Sequence, residues 1–385
     1  MALKSETRCV WAPPRSAYIH VPFCRHRCGY CNFSVVANRD DLIERYLSAV
    51  EVELQELACP PVDTVFVGGG TPTHFDLGTL QRFLQLIRQR FDLSSLVEWS
   101  MEANPEDITS EKVALLHEHG VNRVSLGVQS FHPAKLAMLE RSHTPEGATR
   151  AVELVVDQIP NVSIDLIFAA PNETPDQWRQ DLSTALALPI THLSTYALTF
   201  EKGTSFWSRR VRGDLHGIDE LQEVEMYEAS REMTADAGMT HYEISNFATP
   251  GYQCRHNLAY WNGRGWYAAG PGAARFVSGH RDANHRSTTT YLRRIEQGQC
   301  PTAERELLDE EEYARERAAF GVRMIAGVDL DAIEGETGVA IQDLCRDSIE
   351  RSIKEALLVY SKPNRIKLTE RGILFADLVA SRLLG

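Results

Sequence analysis

The sequence predicts an α/β fold, a partial (βα)6 barrel followed by a small helical domain at the carboxyl end. From Ala17 to about Phe200, short apolar runs alternate with longer stretches of helical periodicity, as repeated βα units around a parallel sheet require. The alternation repeats six times, too few to close an ordinary barrel of this kind, so an open barrel is expected with its site at the carboxyl ends of the strands. From about Glu304 the chain turns helical and charged. A length of 385 residues also exceeds what one hydrophobic core usually supports.

The strands are predicted over Ala17 to Val21, Thr64 to Val67, Glu98 to Ala103, Arg123 to Val128, Ser163 to Phe168 and His192 to Ala197. Helices are expected between them near Asp41 to Leu57, Leu77 to Arg90, Ser110 to His119, Pro145 to Val156 and Pro175 to Leu186. Thr109 and Thr174 precede two of these helices, where a hydroxyl caps free backbone N–H groups. After Phe200 the pattern changes to an acidic helix near Asp219 to Ala237 and a Gly- and aromatic-rich stretch from His241 to Phe276. The expected organisation is an N-terminal extension (1–15), the barrel (16–200), an accessory layer beside it (201–303) and the helical domain (304–385), which admits a winged-helix-like shape.

A formal charge of -13, from 53 acidic and 40 basic residues, argues against nucleic acid as a partner, which would need a basic stripe to displace condensed counterions. The first fifteen residues carry charges and prolines with no apolar core of a leader. No later stretch approaches a membrane span, so a cytoplasmic protein is expected. Eight cysteines, unevenly spread over so long a chain, do not make a secreted disulfide framework.

Three of those cysteines form the sharpest motif, Cys24-Arg-His-Arg-Cys28-Gly-Tyr-Cys31, in the loop after the first strand. Three thiolates on a 4Fe-4S cluster leave one iron open to an exchangeable ligand. The competing reading is zinc, which prefers four ligands and paired cysteines, with His26 as the available fourth donor. Gly68-Gly-Gly-Thr-Pro72 follows the second strand, where glycines let the backbone approach a ligand closely. Glu102, Gln129, Arg141 and Asp165 fall at or just beyond further strand ends. Each alone has the ordinary fate of a solvated or paired polar residue, but they recur at one rim.

Cys-x3-Cys-x2-Cys after a first strand resembles the radical S-adenosylmethionine superfamily. That resemblance implies a 4Fe-4S cluster on Cys24, Cys28 and Cys31 and S-adenosylmethionine bound to its open iron. It places Tyr18, Tyr30, Gly69, Gly70, Thr71, Glu102, Gln129, Arg141 and Asp165 on cofactor-contacting positions, with carboxylates toward the ribose and Arg141 toward the cofactor carboxylate. From Tyr18 to about Gly272 the chain is similar to the oxygen-independent coproporphyrinogen III oxidase family, which acts on porphyrins.

Within that family two features resemble the heme-chaperone branch, the HemW type. Cys31 is followed by Asn32-Phe33, where the oxidases carry a further cysteine two places on. His256-Asn-Leu-Ala-Tyr-Trp261 matches the His-Asn-x-x-Tyr-Trp run of the chaperones. A neutral imidazole is a common axial heme ligand, so the resemblance makes His256, Asn257, Tyr260 and Trp261 the heme candidates. The bland alternative is that His256 and Asn257 tie a loop to the barrel while Trp261 packs in the core. Cys254 is a second soft donor nearby or simply a buried thiol. The reading is a heme chaperone that passes heme to an acceptor protein, with a membrane cytochrome as the acceptor suggested by analogy. The alternative is a radical enzyme that decarboxylates or methylates a porphyrin.

Overall fold

The structure, a computed structural model, describes residues 11–385; Cys9 and most of the expected 1–15 extension lie outside the described residues. Six parallel strands cross the centre of a twelve-stranded sheet in chain order: β1 (Ser16–Val21), β2 (Thr64–Gly69), β3 (Glu98–Ala103), β4 (Arg123–Gln129), β5 (Asn161–Phe168) and β6 (His192–Ala197). The sheet curls into a partial barrel, as the alternation predicted. Helices α1 (Ile43–Gln55), α2 (Leu77–Arg90), α3 (Ser110–His119), α4 (Pro133–Met138), α5 (Pro145–Val156) and α6 (Pro175–Leu186) lie in the crossovers. The short α4 had no counterpart in the prediction.

Strand parity explains where the core sits. Ile19, Val65, Val67, Trp99, Met101, Val124, Leu126, Ile164, Leu166 and Leu193 are fully buried in the apolar core with the helices. Their alternates, such as Ser16, Thr64, Glu98, Arg123, Ser163 and His192, are polar and also buried. Successive side chains on a strand point to opposite faces, so one face packs on the helices while the other fills the barrel with polar groups. The caps are as predicted. Thr109 accepts from the Lys112 N–H, and Thr174 forms a reciprocal capping box with Gln177.

The segment after Phe200 is not a separate layer. After α7 (Ser205–Val211) and α8 (Glu220–Asp236), its strands β7 (Thr240–Glu243) and β8 (Asn246–Ala248) extend the sheet antiparallel beyond β6. The helix α9 (Arg255–Trp261) follows, and then β9 (Trp266–Ala269) pairs parallel to β1. Strands β10 (Ala274–Val277), β11 (His280–Asn284) and β12 (Thr302–Leu307) continue antiparallel beyond β9, with α10 (Thr288–Glu296) between the last two. The edges of β1 and β6 would otherwise expose unpaired backbone N–H and C=O groups, and this segment supplies their partners. Beyond it, α11 (Glu310–Gly321) packs against α9, and the C-terminal helices carry a three-stranded antiparallel sheet of Val328–Asp329, Arg365–Leu368 and Leu358–Lys362. Among the described residues no helix is long and apolar enough to cross a membrane.

One buried carboxylate fastens this extension to the barrel. Glu53 on α1 accepts from the Gly270 N–H (2.9 Å), Asn284 Nδ2 (2.6 Å) and the Tyr291 hydroxyl (2.6 Å). Burial raises its pKa, and those three donors oppose the rise. Glu53→Leu would strand the donors without acceptors, at a cost on the order of 3 kcal/mol. Chemical denaturation should show that loss, and a midpoint equal to wild type would contradict the anchoring role.

Candidate functional site

The rim at the carboxyl ends of the strands gathers most of the predicted site. Cys24, Cys28 and Cys31 are free, with Cys28 buried and the other two half-buried. Thr71 Oγ1 donates to Cys24 Sγ at 3.5 Å, and Arg141 Nη1 donates to Cys28 Sγ at 3.7 Å. Burial pushes the Cys24 thiol up to about 12, against the Thr71 hydroxyl that lowers it. Burial raises the Cys31 thiol as well. Among the described residues no three His, Cys, Asp or Glu side chains converge on one point suited to a single ion; His26 instead lies 3.5 Å from Glu140.

The glycine turn closes over the loop that bears the cysteines. The Gly70 N–H donates to the Val21 carbonyl and the Thr71 N–H to the Phe23 carbonyl, both at 2.7 Å. Gly69 has a left-handed φ of 104°, and a side chain there would collide with the His20 ring, so glycine is required. Its N–H donates to Glu102 Oε2 at 2.8 Å. Tyr18 donates its hydroxyl to His20 Nδ1 at 2.9 Å, while His20 Nε2–H donates to the Ser34 carbonyl at 2.9 Å. His20 thus ties the loop to β1, with burial taking its pKa down to about 4.

Glu102 and Asp165 are two half-buried carboxyls within electrostatic reach of each other. Burial pushes Glu102 up to about 7; the Gly69 N–H opposes this and Asp165 adds to it. Asp165 accepts from Ser125 Oγ at 3.2 Å and is also raised by burial. Gln129 ends β4 at a bulge with a φ of 67°, left-handed for a residue with a side chain and therefore strained. Tyr30 rests edge-on against Phe206 at 6.1 Å.

Arg141 is more engaged than the sequence suggested. Its Nη2 donates to Asn104 Oδ1 at 2.5 Å and to the Gly127 carbonyl at 2.8 Å, while its Nε is buried with no hydrogen-bond partner among the described residues. Asn104 was missed by sequence reasoning. It sits two places after Glu102, just past the end of β3, so the strand-end position that singled out Glu102 marks it as well.

The heme candidates lie elsewhere. His256 is 1 % exposed and packs on Phe66 of β2. Its Nδ1 meets Thr64 Oγ1 at 2.9 Å and its Nε2 meets the Tyr260 hydroxyl at 2.8 Å. Thr64 spends its own proton on Ser16 Oγ, so Nδ1 carries the hydrogen and the Nε2 lone pair is capped by Tyr260. Burial lowers the pKa of His256 to about 3, so the ring is neutral. Thr64 opens β2 and Gly69 closes it, which places the cysteine loop and His256 at opposite ends of that strand, roughly 17 Å apart. The expected heme residues and the expected cluster residues are therefore not one site. Asn257 is half-buried, and Trp261 lies under the Arg323 guanidinium at 5.1 Å. Glu98 accepts from the backbone N–H groups of Arg255 (2.9 Å) and His256 (3.1 Å), fixing the start of α9 to β3. Cys254 is a buried thiol 3.5 Å from Glu98.

Comparison with known proteins agrees with this architecture. Residues 18–185 match the model of the Radical SAM superfamily, and residues 308–375 match that of the HemN C-terminal domain. Heme chaperone HemW of Lactococcus lactis is 34 % identical over 375 residues, covering 96 % of this chain and 97 % of that protein. Heme chaperone HemW of Mycobacterium tuberculosis is 36 % identical over 380 residues, covering 97 % and 95 %. The structure of coproporphyrinogen III oxidase (HemN) from Escherichia coli superposes with a TM-score of 0.84 at 20 % identity, over 96 % of this chain and 90 % of that one. That likeness establishes the fold alone.

Glu102 yields a pH prediction. Its pKa is higher folded, about 7, than its ordinary 4.5, so its contribution to stability is present below 4.5 and is lost as pH rises through 7. Glu102→Gln should therefore gain stability relative to wild type across that window when both are unfolded in denaturant. A difference that stays flat with pH would contradict the raised pKa.

Proposed function

This chain belongs to the HemW heme chaperone family within the radical S-adenosylmethionine superfamily, and on that premise we propose that it binds heme and passes it to an acceptor protein. The observation that carries the reading is similarity over nearly the whole length to proteins named as heme chaperones. Phe33 adds to it: the position of the oxidases' extra cysteine holds an apolar side chain, 63 % exposed.

The three cysteines suit a 4Fe-4S cluster. They are soft donors, none is tied in a disulfide, and two of the sulfurs already receive a hydrogen bond. When bound, the cluster supplies an open iron for S-adenosylmethionine and the electron for reductive cleavage of its sulfonium. The Gly69–Thr71 turn and Arg141 face the methionine end in this reading. Glu102 and Asp165 take the ribose hydroxyls, Glu102 being able to donate or accept near neutral pH, while Tyr18, Tyr30 and Gln129 complete the walls.

Heme is assigned to the α9 region, with His256 as the axial candidate. Neutral imidazole is the form that ligates iron, but Nε2 is covered by the Tyr260 hydroxyl. Coordination therefore requires Tyr260 to swing away. Asn257 and Trp261 lie on the same helix and are assigned to the macrocycle.

Protein purified without oxygen and reconstituted with iron and sulfide should titrate saturably with heme. Given dithionite, S-adenosylmethionine and coproporphyrinogen III, it should yield no decarboxylated product; product beyond stoichiometric amounts would make it an oxidase. Replacing Cys24, Cys28 or Cys31 by Ala should abolish the cluster absorbance, and normal reconstitution would sink the ligand assignment. Tyr260→Phe should tighten heme binding at least several-fold and His256→Ala should weaken it. Identical heme spectra in wild type and both variants would remove His256 from the iron.

A further inference from the structure

Five polar groups run in one unbroken line beneath the cysteine loop. Cys24 Sγ accepts from Thr71 Oγ1 (3.5 Å), whose oxygen accepts from Asn104 Nδ2 (2.8 Å). Asn104 Oδ1 accepts from Arg141 Nη2 (2.5 Å), and Arg141 Nη1 donates to Cys28 Sγ (3.7 Å). The line joins two cysteines through residues that lie past the ends of β2 and β3 and beyond α4.

The direction of every hydrogen in it follows from donor chemistry. Arginine has no acceptor, so the atom of Asn104 that faces Arg141 is the amide oxygen. The amide nitrogen must then face Thr71, where it donates. A hydroxyl has one hydrogen, and with Asn104 donating to its oxygen, that of Thr71 is left for Cys24. Asn104 accepts through one end of its amide and donates through the other, with the Thr71 hydroxyl passing the donation on to Cys24, so the amide sets the polarity of both arms.

We infer that Asn104 is a positioning residue for the cluster: its amide aims the Thr71 hydroxyl and the Arg141 guanidinium at two ligand sulfurs and so raises the cluster's reduction potential. The inference rests on the cluster reading above. Hydrogen bonds to ligand sulfurs are one of the protein's levers on such potentials, because a donor draws charge from the thiolate and favours the more negative, reduced state. With both terminal nitrogens of Arg141 directed by Asn104, Cys28 and Gly127, its plane is fixed and its Nε remains without a partner among the described residues.

The test is the midpoint potential of the reconstituted cluster, followed by electron paramagnetic resonance in a dithionite titration, with cluster content measured by absorbance. Thr71→Ser keeps the hydroxyl and should retain the wild-type potential. Thr71→Val should lower it and should remove an exchangeable-proton coupling from the pulsed spectrum of the reduced cluster. Asn104→Leu removes both arms of the line without adding charge and should lower the potential at least as far as Thr71→Val. The double variant should fall by less than the sum of the two, since Asn104 acts in part through Thr71. If Asn104→Leu fails to load a cluster, Asn104→Ala is measured against the same criterion. A wild-type potential in the Asn104 variant, or strict additivity in the double, would overturn the inference. A wild-type chain that loads no cluster would instead overturn the cluster reading.

Discussion

The pleat of the six central strands is the constraint from which the rest of the molecule follows. Side chains alternate between two faces, and the sequence uses that alternation to send Val65, Met101, Leu126 and Ile164 to the helices and Thr64, Ser100, Ser125 and Ser163 to the opposite face. Because the strands run parallel in chain order, their carboxyl ends share one rim and their amino ends share one floor. A shift of one residue in any strand would exchange its two faces, burying polar groups among the helices and exposing the apolar set, so register is strongly fixed.

Rim and floor answer to different demands. On the rim, groups are left with unspent valences or held in strained form: the Arg141 Nε has no partner among the described residues, Gln129 has a left-handed backbone, and Glu102 is pushed up to about 7. Such features persist where a ligand gains from them. On the floor the polar groups around His256 and His192 satisfy one another, although Arg123 Nε has no hydrogen-bond partner among the described residues. Ser16, Thr64, His256 and Tyr260 form a closed chain, Glu98 holds the first turn of α9, and Ser163, His192 and Tyr242 form a second chain. Within these chains the cost of burying unpaired polar groups is avoided, and His256 is held in a single tautomer as a result.

The extension of the sheet on both sides links the two ends of the molecule. Strand β9 lies beside β1, and the turn after it is held by Glu53 of α1. The same stretch of chain that carries α9 across the floor therefore also completes the wall next to the cysteine loop, where Arg286 and Ser34 are hydrogen-bonded. Movement of α9 needed to uncover His256 acts against this framework and against α11, which packs on α9.

Much of this was legible beforehand. The six strands, five of the crossover helices and the caps at Thr109 and Thr174 follow from local periodicity and local hydrogen bonding, which the sequence encodes directly. The cysteine triad, the glycine turn and Glu102 were readable for the same reason, each being a short motif at or near the end of a strand, whereas Asp165, expected at a strand end, lies inside β5 with three strand residues after it. The joining of β7 to β12 to the main sheet, the place of Asn104 between Thr71 and Arg141, and the capping of His256 by Tyr260 were not. Short edge strands have little periodicity to read. A hydrogen bond between Asn104 and Arg141, or between His256 and Thr64, joins residues far apart in the chain, so only the folded barrel decides which donors meet which acceptors.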